Sequence, residues 1–180
     1  MTKKIFVHQT AIIEKNAEIG ENTRVWAFAH IMSGAKIGTN CNICDNVYIE
    51  GGAVVGNNVK IKNGVAVWDK VIIEDDVFIG PFAVFTNDIN PRSFKKKEPS
   101  EFLKTIIKTG ATIGANATIV CGITIGKYAF IGAGAVVTKN VPDYALIYGN
   151  PAKIKGYVCE CGEKLNSDFF CEICKKKIYI

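Results

Sequence analysis

The chain has 180 residues, of which 48% are hydrophobic and 22% charged, and this composition excludes an intrinsically disordered protein. No run approaches the ~18 consecutive apolar residues of a membrane-spanning helix, and the start MTKKIFVHQT lacks the apolar stretch of a signal peptide. The net charge of +5 arises mostly around residues 88–105 and 153–155, so we expect a small phosphorylated ligand and neither a nucleic acid nor a membrane as partner.

An apolar residue recurs at every sixth position from Val7 to Phe85, and again from Ile107 to Val137. All 20 of these positions are apolar, and 19 of them hold Ile or Val. A period of six fits neither an α-helix nor a long strand, but it fits a short strand followed by a corner. Three such units close a triangular coil of eighteen residues, so the repeat predicts an all-β parallel β-helix of six to seven coils.

The repeat is interrupted once, because Phe85 and Ile107 lie 22 residues apart, which is not a multiple of six. Residues 88–105, DINPRSFKKKEPSEFLKT, are therefore predicted to leave the coil as a loop at one corner. Long loops on rigid scaffolds often carry function. The alternative is a tolerated surface insertion.

The hexapeptide body, the single loop and the closing segment GAGAVVTKNVPDYALIYGNPAK resemble the hexapeptide acyltransferases. The segment FTNDINPRS is the most specific part, and it is similar to N-acetyltransferases that act on nucleotide-linked 3-amino sugars, above all the UDP-2-acetamido-3-amino-2,3-dideoxyglucuronate type. This resemblance implies a left-handed β-helix over residues 1–156. It also implies a homotrimer in which acetyl-CoA binds between neighbouring β-helices.

The scarcity of histidine favours an amine as the acetyl acceptor. The chain has only His8 and His30, and neither lies in the predicted loop. A hydroxyl acceptor needs a base, whereas an amine with a pKa of ~8 is partly neutral near pH 7 and can attack a thioester directly. We expect Asn87 to orient this amine; the alternative is that Asn87 is a corner residue in the left-handed conformation.

Six residues are candidates for binding the nucleotide sugar, on the basis of the family resemblance: His30, Asn63, Trp68, Asp69, Asn90 and Arg92. Trp68 offers a face for stacking on a base, and Arg92 offers a two-pronged contact to a carboxylate or a phosphate. The alternative for His30 is a corner cap without a role in binding.

Eight residues are candidates for binding acetyl-CoA: Gly110, Ala115, Gly132, Ala133, Asn150, Pro151, Lys153 and Lys155. The small residues leave room for an extended pantetheine arm, and the two lysines supply cations for its phosphates. The alternatives are that the small residues only satisfy coil corners and that the lysines are solvated.

Seven cysteines are present, and four of them lie in the last 22 residues, which favours reduced thiols in the cytoplasm over a secreted disulfide scaffold. Cys159, Cys161, Cys171 and Cys174 form the pattern C-x-C-x9-C-x2-C. Four thiolates suit a closed tetrahedral Zn²⁺ site, which predicts that residues 157–180 fold as a structural zinc-binding tail over the last coil.

Three other functions compete with the first one. A γ-carbonic-anhydrase type of enzyme needs three histidines and is disfavoured. A non-catalytic β-helix would need neither the loop nor the GNPAK closure. An N-acetyltransferase for a dTDP-3-amino-3,6-dideoxyhexose is the nearest rival, since no residue in the sequence distinguishes uracil from thymine.

Overall fold

The computed structural model describes residues 4–180. Residues 1–3, the first three of the predicted β-helix domain, lie outside the described residues. The described chain is built almost entirely of two-residue strands separated by corners. The strands, numbered in chain order, are β1 (Phe6–Val7), β2 (Ile12–Ile13), β3 (Glu18–Ile19), β4 (Arg24–Val25), β5 (His30–Ile31), β6 (Lys36–Ile37), β7 (Asn42–Ile43), β8 (Tyr48–Ile49), β9 (Val54–Val55), β10 (Lys60–Ile61), β11 (Ala66–Val67), β12 (Val71–Ile73), β13 (Phe78–Ile79), β14 (Val84–Phe85), β15 (Thr105–Ile107), β16 (Thr112–Ile113), β17 (Thr118–Ile119), β18 (Thr124–Ile125), β19 (Phe130–Ile131), β20 (Val136–Val137), β21 (Ala145–Tyr148), β22 (Lys153–Tyr157), β23 (Phe170–Cys171) and β24 (Lys176–Lys177).

Every third strand joins the same parallel sheet, which confirms the predicted β-helix. The first sheet runs β1-β4-β7-β10-β13-β16-β19-β21, the second β2-β5-β8-β11-β14-β17-β20, and the third β3-β6-β9-β12-β15-β18. Pairing joins residues eighteen positions apart, as between Val7 and Val25. The first sheet has an eighth strand, β21, so the coil is longer than the predicted six to seven turns. The repeat does not reveal this strand, because residues 138–144 before it depart from the period of six.

The predicted inward column forms the core. Val25, Ile43, Ile61 and Ile79 on the first sheet have no exposed surface, because each is covered by the corresponding residues of the coils above and below. Burying one such side chain stabilises the fold by about 1.5–3 kcal/mol. In the first coil Val7 remains 42% exposed, since no described residue packs beneath it.

The corners use residues that tolerate a positive φ. Six of them are asparagines: Asn16, Asn22, Asn40, Asn46, Asn58 and Asn116. Four further corner residues of the coil are aromatic: Phe28, Phe82, Tyr128 and Tyr144. Of these, Phe28 and Phe82, with φ of 57° and 56°, are more than half exposed. The corners therefore place bulky apolar side chains on the outside of the prism.

The predicted loop leaves the coil between β14 and β15. Its base is closed by a hydrogen bond from the Leu103 N–H to the Asn87 carbonyl at 3.1 Å. Lys70 lies beneath the loop, and its Nζ donates to the Phe102 carbonyl at 3.0 Å. The loop contains one 3₁₀ turn, Pro99–Glu101, and it ends one residue earlier than predicted because Thr105 belongs to β15 and is fully buried.

The tail folds back on the last coil. Strand β22 pairs antiparallel with β21, and β23 pairs antiparallel with β24. The predicted domain boundary at 156/157 falls inside β22, so the β-helix and the tail share this strand. Residues 4–180 contain no helix with the length and apolarity needed to cross a bilayer.

Candidate active site

A histidine–carboxylate pair lies on the outer face of the second sheet. His30 opens β5, and its Nε2 lies 2.8 Å from Oε1 of Glu14, which follows β2 in the neighbouring coil. The other oxygen of Glu14 accepts the Ser33 N–H at 2.9 Å. This backbone hydrogen bond, followed by the contact with His30, lowers the pKa of Glu14 below 4.5. His30 lies within a strand, so it does not cap a corner.

An aromatic wall continues from His30 along the same face. His30 and Tyr48 are direct partners in the β5–β8 pairing, and their ring centroids are 5.6 Å apart. Tyr48 in turn lies 5.6 Å from the Trp68 ring. Burial, and then the charges of Glu50 and Glu14, raise the pKa of the Tyr48 phenol, which keeps it protonated. The three rings form a surface that suits a flat or partly apolar ligand.

Trp68 also fastens the point at which the loop leaves the coil. In the coils before it, the backbone N–H of Glu50 donates to the Val67 carbonyl at 2.8 Å, and Met32 makes the equivalent bond to Ile49. In the Trp68 coil it is the indole Nε1 that donates, to the Phe85 carbonyl at 2.7 Å. The side chain thus replaces a backbone donor at Phe85, two residues before Asn87.

Asp69 lies at the adjacent corner, where a carboxylate holds its backbone. Oε2 of Glu50 accepts the Asp69 N–H at 2.7 Å. The Asp69 side chain occupies the space that a Cβ on Gly52 would fill, and Gly52 has a φ of 90°. Glycine at this position therefore allows the Asp69 carboxylate to lie against the preceding corner.

Asn87 lies at the loop base and does not have a positive φ, unlike the six corner asparagines, so the alternative of a left-handed corner residue is wrong. Within residues 4–180 its side-chain amide has no hydrogen-bond partner, which leaves it available to a ligand. The next residue, Asp88, is bound by Lys97 and accepts the Asn90 N–H at 2.8 Å. The hydrogen bond from Lys97 lowers the pKa of Asp88.

Two predicted sugar-binding residues are exposed on the loop, and one lies elsewhere. Asn90 and Arg92 are exposed, and Nη1 of Arg92 donates to the Pro91 carbonyl at 3.0 Å. Asn63 lies at the corner between the first and second sheets, where its Nδ2 is 3.4 Å from Oδ2 of Asp45. Strand β11 separates it from Trp68, so within one chain the structure does not bring Asn63 to the aromatic wall.

The predicted acetyl-CoA residues all border the last coils of the first sheet. A Cβ on Gly110 would overlap the Tyr128 ring, and a Cβ on Gly132 would lie 2.8 Å from the Tyr148 Cβ. Packing between coils thus accounts for both glycines. Lys155 lies on β22 with its Nζ 5.8 Å from the centre of the Tyr148 ring. Ala115 and Ala133 follow β16 and β19, at the edge of the first sheet opposite to Gly110, and Asn150, Pro151 and Lys153 follow β21.

A separate groove of about 490 Å³ lies on the N-terminal half of the first sheet. Arg24, Trp26 and Lys60 line it, and none of the predicted binding residues does so. The indole Nε1 of Trp26 donates to Oδ1 of Asn42 at 2.7 Å there.

Glu14, Tyr48 and Glu50 were not predicted from the sequence. Each lies eighteen residues, or one coil, from another residue of its column: Glu14, Met32, Glu50 and Trp68 form one column, and His30 and Tyr48 belong to another. These residues would have been found by applying the period of eighteen residues to the outward-facing positions as well as to the core.

The protein family described as "Bacterial transferase hexapeptide (six repeats)" matches residues 10–51, 52–87 and 104–139, which together make up more than half of the chain. The chain belongs to this hexapeptide transferase family. This hexapeptide transferase is an acyltransferase. It is 55% identical over 160 residues to the dTDP-3-amino-3,6-dideoxy-alpha-D-galactopyranose 3-N-acetyltransferase of Aneurinibacillus thermoaerophilus, covering 89% of this chain and 82% of that protein.

Solved structures show the same fold at lower identity. The hexapeptide transferase matches PerB from Caulobacter crescentus, solved with CoA and GDP-perosamine, with a TM-score of 0.51 and 23% identity, over 84% of this chain and 57% of that chain. It matches the acetyltransferase domain of PglB from Neisseria gonorrhoeae, solved with acetyl coenzyme A, with a TM-score of 0.55 and 23% identity, over 83% and 57% of the two chains. At this identity the likeness concerns the β-helix alone.

Proposed function

We propose that this hexapeptide transferase moves the acetyl group of acetyl-CoA to the 3-amino group of a dTDP-linked 3-amino-3,6-dideoxyhexose. The observation that carries the proposal is the 55% identity to an enzyme of that name over 89% of the chain. This identity favours the dTDP sugar over the UDP-linked uronate, which was the first expectation from the sequence. A 3,6-dideoxyhexose has no carboxylate, so Arg92 would face the diphosphate of the ligand instead.

The aromatic wall and the loop supply complementary parts of the acceptor site. His30, Tyr48 and Trp68 offer apolar ring surface beside the carboxylate of Glu14, which suits a deoxysugar or a base. The exposed cations Arg92, Lys95 and Lys96 on the loop suit the diphosphate. Asp69 follows Trp68 at the adjacent corner and Asn90 lies on the loop two residues before Arg92, while Asn63 would reach the ligand only from its own corner.

The chemistry follows from an amine acceptor. The neutral 3-amino group attacks the thioester carbon, a C–N bond forms, and the C–S bond breaks as CoA leaves as a thiolate. The surplus amine proton passes to that thiolate or to water, so no side-chain base is required. Asn87, with an unpartnered amide at the loop base, would accept a hydrogen bond from the amine and orient its lone pair towards the thioester.

Acetyl-CoA would bind along the last coils of the first sheet, with Lys153 and Lys155 near its phosphates. A homotrimer would provide the second wall of this cleft. Exposed apolar side chains support such an assembly. Phe28 and Phe82, at the corners between the first and second sheets, are 63% and 58% exposed, and Val84 on the second sheet is 48% exposed. The free thiols support a reducing compartment, the cytoplasm.

A substrate panel tests the proposal. The purified protein is mixed with acetyl-CoA and either a dTDP-3-amino-3,6-dideoxyhexose, the UDP-linked 3-amino uronate, or the matching dTDP 3-hydroxy sugar, and free CoA thiol is measured. Thiol release with the dTDP amine alone is expected. Thiol release with the UDP uronate alone would overturn the nucleotide assignment. If neither 3-amino sugar causes thiol release, the assignment as an amino-sugar acetyltransferase is overturned.

A further inference from the structure

The four cysteines of the tail are gathered into one cluster. The Sγ atoms of Cys159, Cys161, Cys171 and Cys174 all lie within 4.8 Å of one another. Those of Cys161 and Cys171 are 3.7 Å apart. This distance is far beyond the ~2.05 Å of a disulfide. It matches the roughly 3.8 Å that separates two sulfurs on a tetrahedral zinc ion with Zn–S bonds of about 2.3 Å.

Two tight turns present these thiols to a common point. In the first, Gly162 has a φ of 91°, and its N–H donates to the Cys159 carbonyl at 2.8 Å. In the second, the Cys174 N–H points at the Cys171 Sγ at 3.4 Å, and Lys175 follows with a φ of 53°. An amide N–H directed at sulfur stabilises a thiolate, which is the form of cysteine that binds a metal.

The tail has little else to hold it together. Its own buried cluster contains two of the four cysteines and only two other residues, Leu165 and Ile178. The strands β23 and β24 form an isolated two-stranded hairpin, which is marginal in water without further support. A segment of this size usually needs a metal or disulfides to fold, and the four cysteines are free thiols.

We propose that Cys159, Cys161, Cys171 and Cys174 bind one Zn²⁺ ion in a closed tetrathiolate site that fastens the tail over the end of the β-helix. Four soft sulfur ligands select zinc over the hard cations Mg²⁺ and Ca²⁺. With four protein ligands no position remains for water or substrate, so the role of the ion is structural. The site is independent of the proposed acetyl transfer.

The tail reaches the last coil through specific contacts that the metal would secure. The Val158 N–H donates to the Tyr144 carbonyl at 2.8 Å, and the Tyr157 and Phe169 rings lie 5.5 Å apart. Tyr144 stacks on Tyr128 of the preceding coil, with ring centroids 5.4 Å apart. The tail thus covers the open C-terminal edge of the first sheet, which would otherwise offer unpaired backbone groups.

Metal analysis of the full-length protein, purified without added metal, tests the proposal. We expect about one zinc ion per chain, and we expect Cys174→Ser to reduce this at least tenfold. Cys44→Ser is the matched control, since Cys44 lies on the coil outside the cluster, and it should retain the metal. A wild-type protein without zinc, or a Cys174→Ser variant that retains full zinc content, would overturn the proposal.

Two further measurements address the structural role. Cobalt introduced in place of zinc should give the intense visible absorption of a tetrahedral thiolate complex, and this absorption should be absent in Cys174→Ser. Removal of the ion with a chelator should open residues 157–180 to protease while the β-helix resists cleavage. A tail that stays protease-resistant with four titratable thiols after metal removal would contradict the fastening role.

Discussion

The substitution Trp68→Phe isolates the hydrogen bond at the loop base. Phenylalanine keeps an aromatic ring beside Tyr48 but removes the indole N–H that donates to the Phe85 carbonyl at 2.7 Å. Because Trp68 stands in for a backbone donor of the coil, its loss leaves this carbonyl without that partner. The backbone just before Asn87 should therefore shift or loosen.

An unsatisfied buried carbonyl costs about 1–3 kcal/mol. For a chain of this size, each kcal/mol corresponds to roughly 2–4 °C in Tm, so Trp68→Phe should unfold about 2–12 °C below the wild type. If this ~1–3 kcal/mol must also be spent to bring Asn87 back into position during turnover, kcat/KM falls about 5- to 150-fold, because 1.4 kcal/mol corresponds to a factor of ten.

Thermal unfolding and free-thiol release from acetyl-CoA measure the two effects. Trp26→Phe is the matched control, because Trp26 also donates through its indole, to Oδ1 of Asn42 at 2.7 Å, but it is 36% exposed and distant from the loop. We expect the control to change Tm and kcat/KM little. Equal behaviour of the two variants would refute the role assigned to Trp68.

Three further substitutions test other parts of the account. Asn87→Ala should lower kcat at least about tenfold without changing Tm, whereas Asn42→Ala, in the separate groove lined by Trp26, should leave kcat unchanged; an unchanged kcat in Asn87→Ala would contradict the orienting role of Asn87. Glu14→Gln should have a lower Tm than the wild type at pH 7. Because the pKa of Glu14 is lowered in the folded protein, this difference in Tm should vanish as the pH falls from 4.5 through that lowered pKa. A difference in Tm that persists below that pKa would contradict the role of the Glu14 carboxylate. Gly110→Ala should lower Tm more than Gly134→Ala, since both have a φ near 70° but only the former Cβ meets an aromatic ring; equal losses would show that backbone conformation alone matters.

The β-helix could be predicted from sequence because one physical constraint repeats in every coil. Each inward position must be apolar, and each corner must tolerate a tight turn, so the period of six is visible from Val7 to Val137. The strand β21 was missed because residues 138–144 close their coil with irregular spacing. Its inward residue Ile147 is buried all the same, which only the structure shows.

The site was predicted less completely because outer-face residues obey no such rule. The sequence indicated His30 and Trp68, but their partners Glu14 and Tyr48 come from adjacent coils and are recognised only when residues eighteen apart are compared. For Gly110 the structure supports the alternative that the sequence left open, packing at a coil corner, since its missing side chain makes room for the Tyr128 ring.

The most direct test of the central claim is to locate the transferred acetyl group in the product. The dTDP-3-amino-3,6-dideoxyhexose is converted with acetyl-CoA, and the product is analysed by NMR for a new amide proton coupled to the hydrogen on C3. We predict one acetamido group at C3 and free hydroxyls elsewhere on the sugar. An acetyl ester on a hydroxyl, with the amine unmodified, would contradict the account.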